Sequence, residues 1–282
     1  MGLITIHNDL LTVVLSTRGA ELQSIRDRNG VERLWQGDPA YWASRAPLLF
    51  PVAGGFREDC YELNGKRYPM LKHGFVRKLE WQVEDERENA VTLLMNQKNE
   101  GFPFEYDLRA HFELKGSALE VTYSVTNRDS QTFYFSVGSH EAYATPEGIE
   151  EYEIVFDEEE KLDDYVLEGN LIKREPVVMA EKTRVLPLQY AYFAVDALVF
   201  RTLKSRGVTL RSRKHPREIR VDFPDHDVLM FWTKPGAGYL CIEPWCNAPD
   251  FMDADLRIDH KPGFIRLQPG ETADRRHTIT IR

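Results

Sequence analysis

Residues 105–125, EYDLRAHFELKGSALEVTYSV, decide the fold class. Leu108, Ala110, Phe112 and Leu114 alternate with Asp107, Arg109, His111 and Glu113, so an extended chain puts the apolar set on one face and the polar set on the other. Leu119, Val121, Tyr123 and Val125 repeat the alternation. Between the two runs, Lys115-Gly116-Ser117 is a three-residue connection containing glycine, which suits a tight antiparallel hairpin. Each strand has one dry face, and that face needs a second apolar layer.

The same period recurs along the chain, at 3–7, 11–16, 80–85, 90–95, 133–137, 152–156, 197–203, 208–211, 219–223, 228–232, 239–242 and 278–281. Asn29-Gly30 and Asn64-Gly65 lie between strand-like runs, where both residues of a two-residue turn can take positive φ. About fifteen or more short strands with local connections predict an all-β fold, a large antiparallel β-sandwich with few short helices. One helix of about two turns is expected from Asp38, with Pro39 in its first turn. The acidic run Asp157-Glu158-Glu159-Glu160, with Asp163 and Asp164, reads as a solvated loop or edge. No repeat and no linker divides the chain, so a single domain over 1–282 is expected.

Acidic residues outnumber basic ones, 45 to 36, and a net charge of −9 disfavours nucleic acid and anionic membrane surfaces as partners. The longest apolar stretch, residues 46–55 (APLLFPVAGG), is far short of the roughly 18 needed to cross a bilayer. The N-terminal MGLITIHNDL lacks a basic region followed by an apolar block, so no secretory signal and a cytoplasmic location are expected. Cys60, Cys241 and Cys246 are too few for a disulfide framework and are expected as reduced thiols.

Dinucleotide, P-loop, serine-hydrolase and zincin motifs are all missing, and no His near Cys241 and Cys246 in sequence completes a zinc set. No cofactor and no metal are expected. Three polar groups stand in apolar or aromatic surroundings: His73 in LKHGFVR (71–77), His140 in FSVGSHEAY (135–143) and Glu243 in LCIEPWC (240–246). Burial should raise the carboxyl pKa toward a general base's useful range, and Trp245 offers a flat face of the kind sugar rings stack on. Taken singly, each has an ordinary explanation: a hydrogen-bonded structural histidine, a buried ion pair, a core tryptophan.

Taken together and in order, Leu48-Leu49-Phe50-Pro51-Val52-Ala53-Gly54, His73-Gly74-Phe75-Val76-Arg77, Gly138-Ser139-His140 and Ile242-Glu243-Pro244-Trp245 resemble the aldose 1-epimerase (galactose mutarotase) family, most of all its LacX-type branch. The resemblance spans nearly the whole chain. It implies a sugar groove across one sheet of the sandwich and an isomerase that interconverts anomers of a hexose. It implies His140 as general acid, Glu243 as general base and His73 as the residue that helps polarise the ring oxygen. Asp196 is the implied partner of a sugar hydroxyl, with Arg77, Arg57, Trp245 and Phe75 as further substrate contacts. Relatives commonly carry an arginine just after the Phe-Pro motif, where this chain has Gly54-Gly55-Phe56; either Arg57 or Arg45 substitutes for it, or substrate preference differs.

The partner expected is a small-molecule sugar, a free hexose or a hexose phosphate, the latter held by Arg77, Arg57 and Lys72; the protein is expected as a monomer or homodimer. A non-catalytic carbohydrate-binding protein, and a glycosidase using Glu141 or Asp196 as second acid, are the other readings. The acid/base mechanism asks for a protonated His140 and an ionised Glu243, a state their mutual attraction favours against burial.

Overall fold

The decisive hairpin forms as strands Tyr106–Lys115 and Ala118–Asn127, with Leu108 opposite Val125, Ala110 opposite Tyr123, Phe112 opposite Val121 and Leu114 opposite Leu119. All eight side chains are buried. Removing each large one from water stabilises the fold by about 1.5–3 kcal/mol before entropy is counted. The computed structural model describes residues 2–282.

The hairpin belongs to a 13-stranded antiparallel sheet. From one edge its order is Glu141–Ala144, Tyr239–Trp245, Val228–Trp232, Leu198–Phe200, Tyr152–Asp164, Gly207–Ser212, Glu218–Asp222, Thr272–Ile281, Ala118–Asn127, Tyr106–Lys115, Ala90–Met95 and Gln82–Glu86; Val177–Pro187 pairs with Tyr152–Asp164 beside this path. The two ends of the sheet face each other. His277 Nε2 lies 3.0 Å from Oε1 of Glu141 in the buried interior, joining strands well separated in the sheet order. A single apolar cluster also contains Leu108 and Phe112 from one end and Leu240 and Ile242 from the other. This is the large β-sandwich that the alternation implies.

Asn64 (φ 52) and Gly65 (φ 75) both take positive φ in the turn joining Cys60–Leu63 to Lys66–Pro69, as the Asn-Gly pair predicts. Two expectations fail. No helix follows Asp38: its Oδ1 accepts from the Ala40 amide and its carbonyl from those of Tyr41 and Trp42, so the segment closes as one capped turn. The acidic run is not a loop either. It lies within the strand Tyr152–Asp164, where, of the acidic residues, only Asp157, Glu158 and Glu159 are exposed. Glu160 is buried and accepts from the amides of Lys204 and Ser205, while Asp164 accepts from that of Val199. Carboxylates that satisfy buried amides fit a strand interior that their charge alone would forbid.

Candidate active site

The strand Tyr239–Trp245 is buried on both faces. Leu240 and Ile242 enter the sandwich core, whereas Tyr239, Cys241 and Trp245 join separate clusters on the other face, and Glu243 projects to that face by the same alternation. Val228 and Met230 of the neighbouring strand lie on this second face too. Here the sheet carries a groove of about 380 Å³, lined among others by His73, His140, Asp196, Trp232, Glu243 and Trp245.

Three loops are joined in series to the strand by main-chain bonds. Leu49 and Gly138 exchange N–H···O bonds, and Cys246 donates to Val137 while Ser139 donates to Pro244, so the chain before His140 is laid against the end of the Glu243 strand. The Trp245 indole completes this join by donating to the Ser139 carbonyl at 3.0 Å. A Cβ on Gly138 would lie 2.6 Å from the Trp245 ring, so glycine allows the approach. The His73 amide donates to Gly54 and that of Phe75 to Phe50, docking the His73 turn on the same 48–54 segment.

His73 itself has φ 69, a left-handed conformation that costs a non-glycine residue roughly 1–2 kcal/mol. Its Nδ1 accepts from the Gly54 amide at 3.1 Å. Burial, reinforced by the charges of His140, Lys72 and Arg77, holds its pKa well below the ordinary 6.5. His73 is therefore a neutral imidazole whose remaining proton sits on Nε2, free to donate.

His140 Nε2 and Glu243 Oε2 are 3.3 Å apart, with side-chain exposures of 12% and 1%. Trp42 stacks on the His140 ring at 4.9 Å, Trp232 meets it edge-on at 5.7 Å, and the His73 ring lies 5.8 Å away. This enclosure opposes the charge state expected from mutual attraction. Burial pushes His140 down to about 3, helped by Lys72 and Arg77, and pushes Glu243 well above the ordinary 4.5. Desolvation thus works against the charge-separated state and favours a neutral imidazole beside a protonated carboxyl.

The aldose 1-epimerase family model matches residues 2–280. The chain belongs to that family. The plasmid-borne protein LacX of Lactococcus lactis subsp. lactis is 33% identical over 295 residues, covering 99% of each chain. A galactose mutarotase related enzyme from Lactobacillus acidophilus superposes with a TM-score of 0.94 at 29% identity, covering 100% of this chain and 97% of that one. A galactose mutarotase-like protein from Lactobacillus casei gives 0.91 at 29% identity, covering both chains completely.

Of the residues that resemblance to the epimerase family singled out, His73, Arg77, His140, Asp196, Glu243 and Trp245 all line the groove. Two do not. Arg57 donates to the Ala254 carbonyl and lies 3.4 Å from Glu58, because the Gly54-Gly55 turn carries the chain away before it. Phe75 packs against the main core. Arg45 is occupied by Gln23 and the Gln36 carbonyl. Glu141 faces the sandwich interior and His277, since it directly follows His140 and enters the strand on its other face. Sequence reading missed Trp42, Trp232, Met230 and Lys234, which line the groove and come from elements that no motif links to it. An aromatic-rich stretch with Trp35, Tyr41 and Trp42 was the one available signal.

Proposed function

We propose that the protein is an aldose 1-epimerase that interconverts the α and β anomers of a free hexose by acid/base ring opening. The observation that carries this reading is the 3.3 Å approach of His140 Nε2 to Glu243 Oε2 in a groove also lined by His73 and Asp196. When a sugar enters, hydroxyls hydrogen-bonding the Glu243 carboxylate replace its lost hydration and favour its ionised form, moving the proton to His140. Glu243 then takes the proton from the anomeric hydroxyl as His140 donates to the ring oxygen, and the C1–O5 bond opens. The His73 Nε2–H steadies the ring oxygen. Rotation about C1–C2 and the reverse transfers close the ring on the other face and return the proton to its starting place. Trp245 supplies the apolar floor and Asp196 holds a hydroxyl.

The test is polarimetry or NMR exchange on freshly dissolved α-glucose and α-galactose, with glucose 6-phosphate alongside. Lys72, Arg77 and Lys234 line the groove, and none forms an ion pair among the described residues, which favours a hexose phosphate as the second reading. A kcat/KM at least about tenfold higher for the phosphorylated sugar would decide for it. If the protein speeds anomer exchange for none of the three sugars, the epimerase reading fails and a binding protein remains.

The pH profile follows from the shared proton. The active free enzyme holds one proton on the pair: activity falls when a second joins, at a pKa below the usual 6.5 of histidine, and when the last leaves, above the usual 4.5 of glutamate. The expected kcat/KM profile is a bell whose acid limb lies below the usual histidine range and whose alkaline limb lies well above the usual glutamate range. An alkaline limb with its midpoint at or below the ordinary 4.5 of glutamate would show that burial does not govern the pair.

A further inference from the structure

Cys241 lies on the groove face of the strand Tyr239–Trp245, two residues before Glu243 and directly behind the pair. The proposed epimerase cycle gives it no task. A ring nitrogen of His140, Sγ of Cys241 and a carboxylate oxygen of Glu243 all lie within 4.8 Å of one another. Glu243 Oε2 is buried and has no aligned hydrogen-bond donor, although it faces His140 Nε2 at 3.3 Å. His140 Nδ1 is buried and unpartnered as well.

We propose that His140, Cys241 and Glu243 form a site for a thiophilic divalent cation such as zinc, and that its occupation blocks the groove. One imidazole, one thiolate and one carboxylate are zinc's preferred donors, and three protein ligands leave a fourth position toward the groove for a water molecule. Binding releases the Cys241 thiol proton and the proton shared by His140 and Glu243, with no change in oxidation state. The two anionic donors then neutralise the cation's charge, which suits a buried position. The aromatic packing of Trp42 on His140 holds one ligand in place without consuming either ring nitrogen. The consequence for catalysis rests on the epimerase reading: the cation takes both the acid and the base, so sugar is excluded or left unreacted.

The test uses the full chain and two metals. Cobalt(II) chloride should produce a thiolate-to-cobalt charge-transfer band in the near ultraviolet, and zinc should bleach it. Cys241→Ala and Cys241→Ser should both lose the band and bind zinc at least tenfold more weakly in competition with a chromophoric chelator, whereas Cys60→Ser keeps both properties. In the anomer-exchange assay zinc should inhibit the unaltered chain, EDTA should restore it, and the Cys241 variants should work through the same zinc concentration. Absence of the cobalt band, or zinc affinity unchanged in both Cys241 variants, overturns the site. A chain with no anomer exchange before any metal is added refutes the epimerase reading instead, and the cobalt spectrum still decides the metal site.

Discussion

Glu243→Gln slows anomer exchange by about 10²–10⁴-fold and leaves the fold within about 1 kcal/mol of the parent's stability. The two expectations come from the same surroundings. Burial favours the neutral form of the Glu243 carboxyl, so an amide of the same shape suits the same surroundings. Its Oε2 has no aligned donor, so few hydrogen bonds are lost. The amide, however, can donate a hydrogen bond but cannot release its proton to His140 or take one from an anomeric hydroxyl. KM should change little, because Trp245, Asp196 and His73 still line the groove. His140→Gln should fall in the same range, and the double variant should be no slower than the worse single one, since both residues handle one proton. Polarimetry gives the rates and urea denaturation the stabilities. Retention of more than about a tenth of the rate by Glu243→Gln would remove it from the proton path.

The strands that were legible in sequence are those whose alternation records one wet and one dry face. Val228–Trp232 and Ala90–Met95 form with the bounds their periodicity implies, and Tyr106–Lys115 with Ala118–Asn127 is displaced by only a residue or two. Val177–Pro187 was not legible because almost none of it is buried: it holds to Tyr152–Asp164 by main-chain pairing with several register shifts, and that pairing writes no pattern into side chains. Glu141–Ala144 failed for the opposite reason. All but its last residue is buried, so it shows no alternation, and its carboxylate is answered by His277, a partner no local window contains.

The candidate site divides along the same line. His73, His140, Glu243 and Trp245 were legible through ordered motifs, because close main-chain packing requires the glycines and the proline that accompany them. The charge state of the pair was not. Mutual attraction is a property of two residues, whereas desolvation is set by everything that encloses them, and Trp42 and Trp232 arrive from a turn after Asp38 and from a neighbouring strand. Cys241 was set aside for want of a nearby histidine in sequence; the sheet supplies His140.

Gly74→Ala should destabilise the protein by about 3 kcal/mol or more, and Gly65→Ala by only about 1. Both glycines have positive φ, 65 and 75, so both substitutions incur the same left-handed backbone penalty. They differ in space. A Cβ on Gly65 meets nothing within 4 Å, whereas one on Gly74 would lie 1.9 Å from the Phe50 carbonyl oxygen and 2.9 Å from Pro51 Cδ. That carbonyl accepts the Phe75 amide at 3.1 Å, so relief of the overlap breaks this bond and lifts the His73 turn off the 48–54 segment. The loss of one buried hydrogen bond adds about 1 kcal/mol, and the displaced packing adds the rest. Because the same segment bonds Gly138 ahead of His140, the damage should reach the proposed catalytic pair, and kcat should fall in the fraction of Gly74→Ala protein that still folds. Denaturation midpoints of the two variants measured side by side cancel the shared φ term. Equal losses would mean that the Phe50 carbonyl yields freely, and that the close docking of the His73 turn does not hold the groove together.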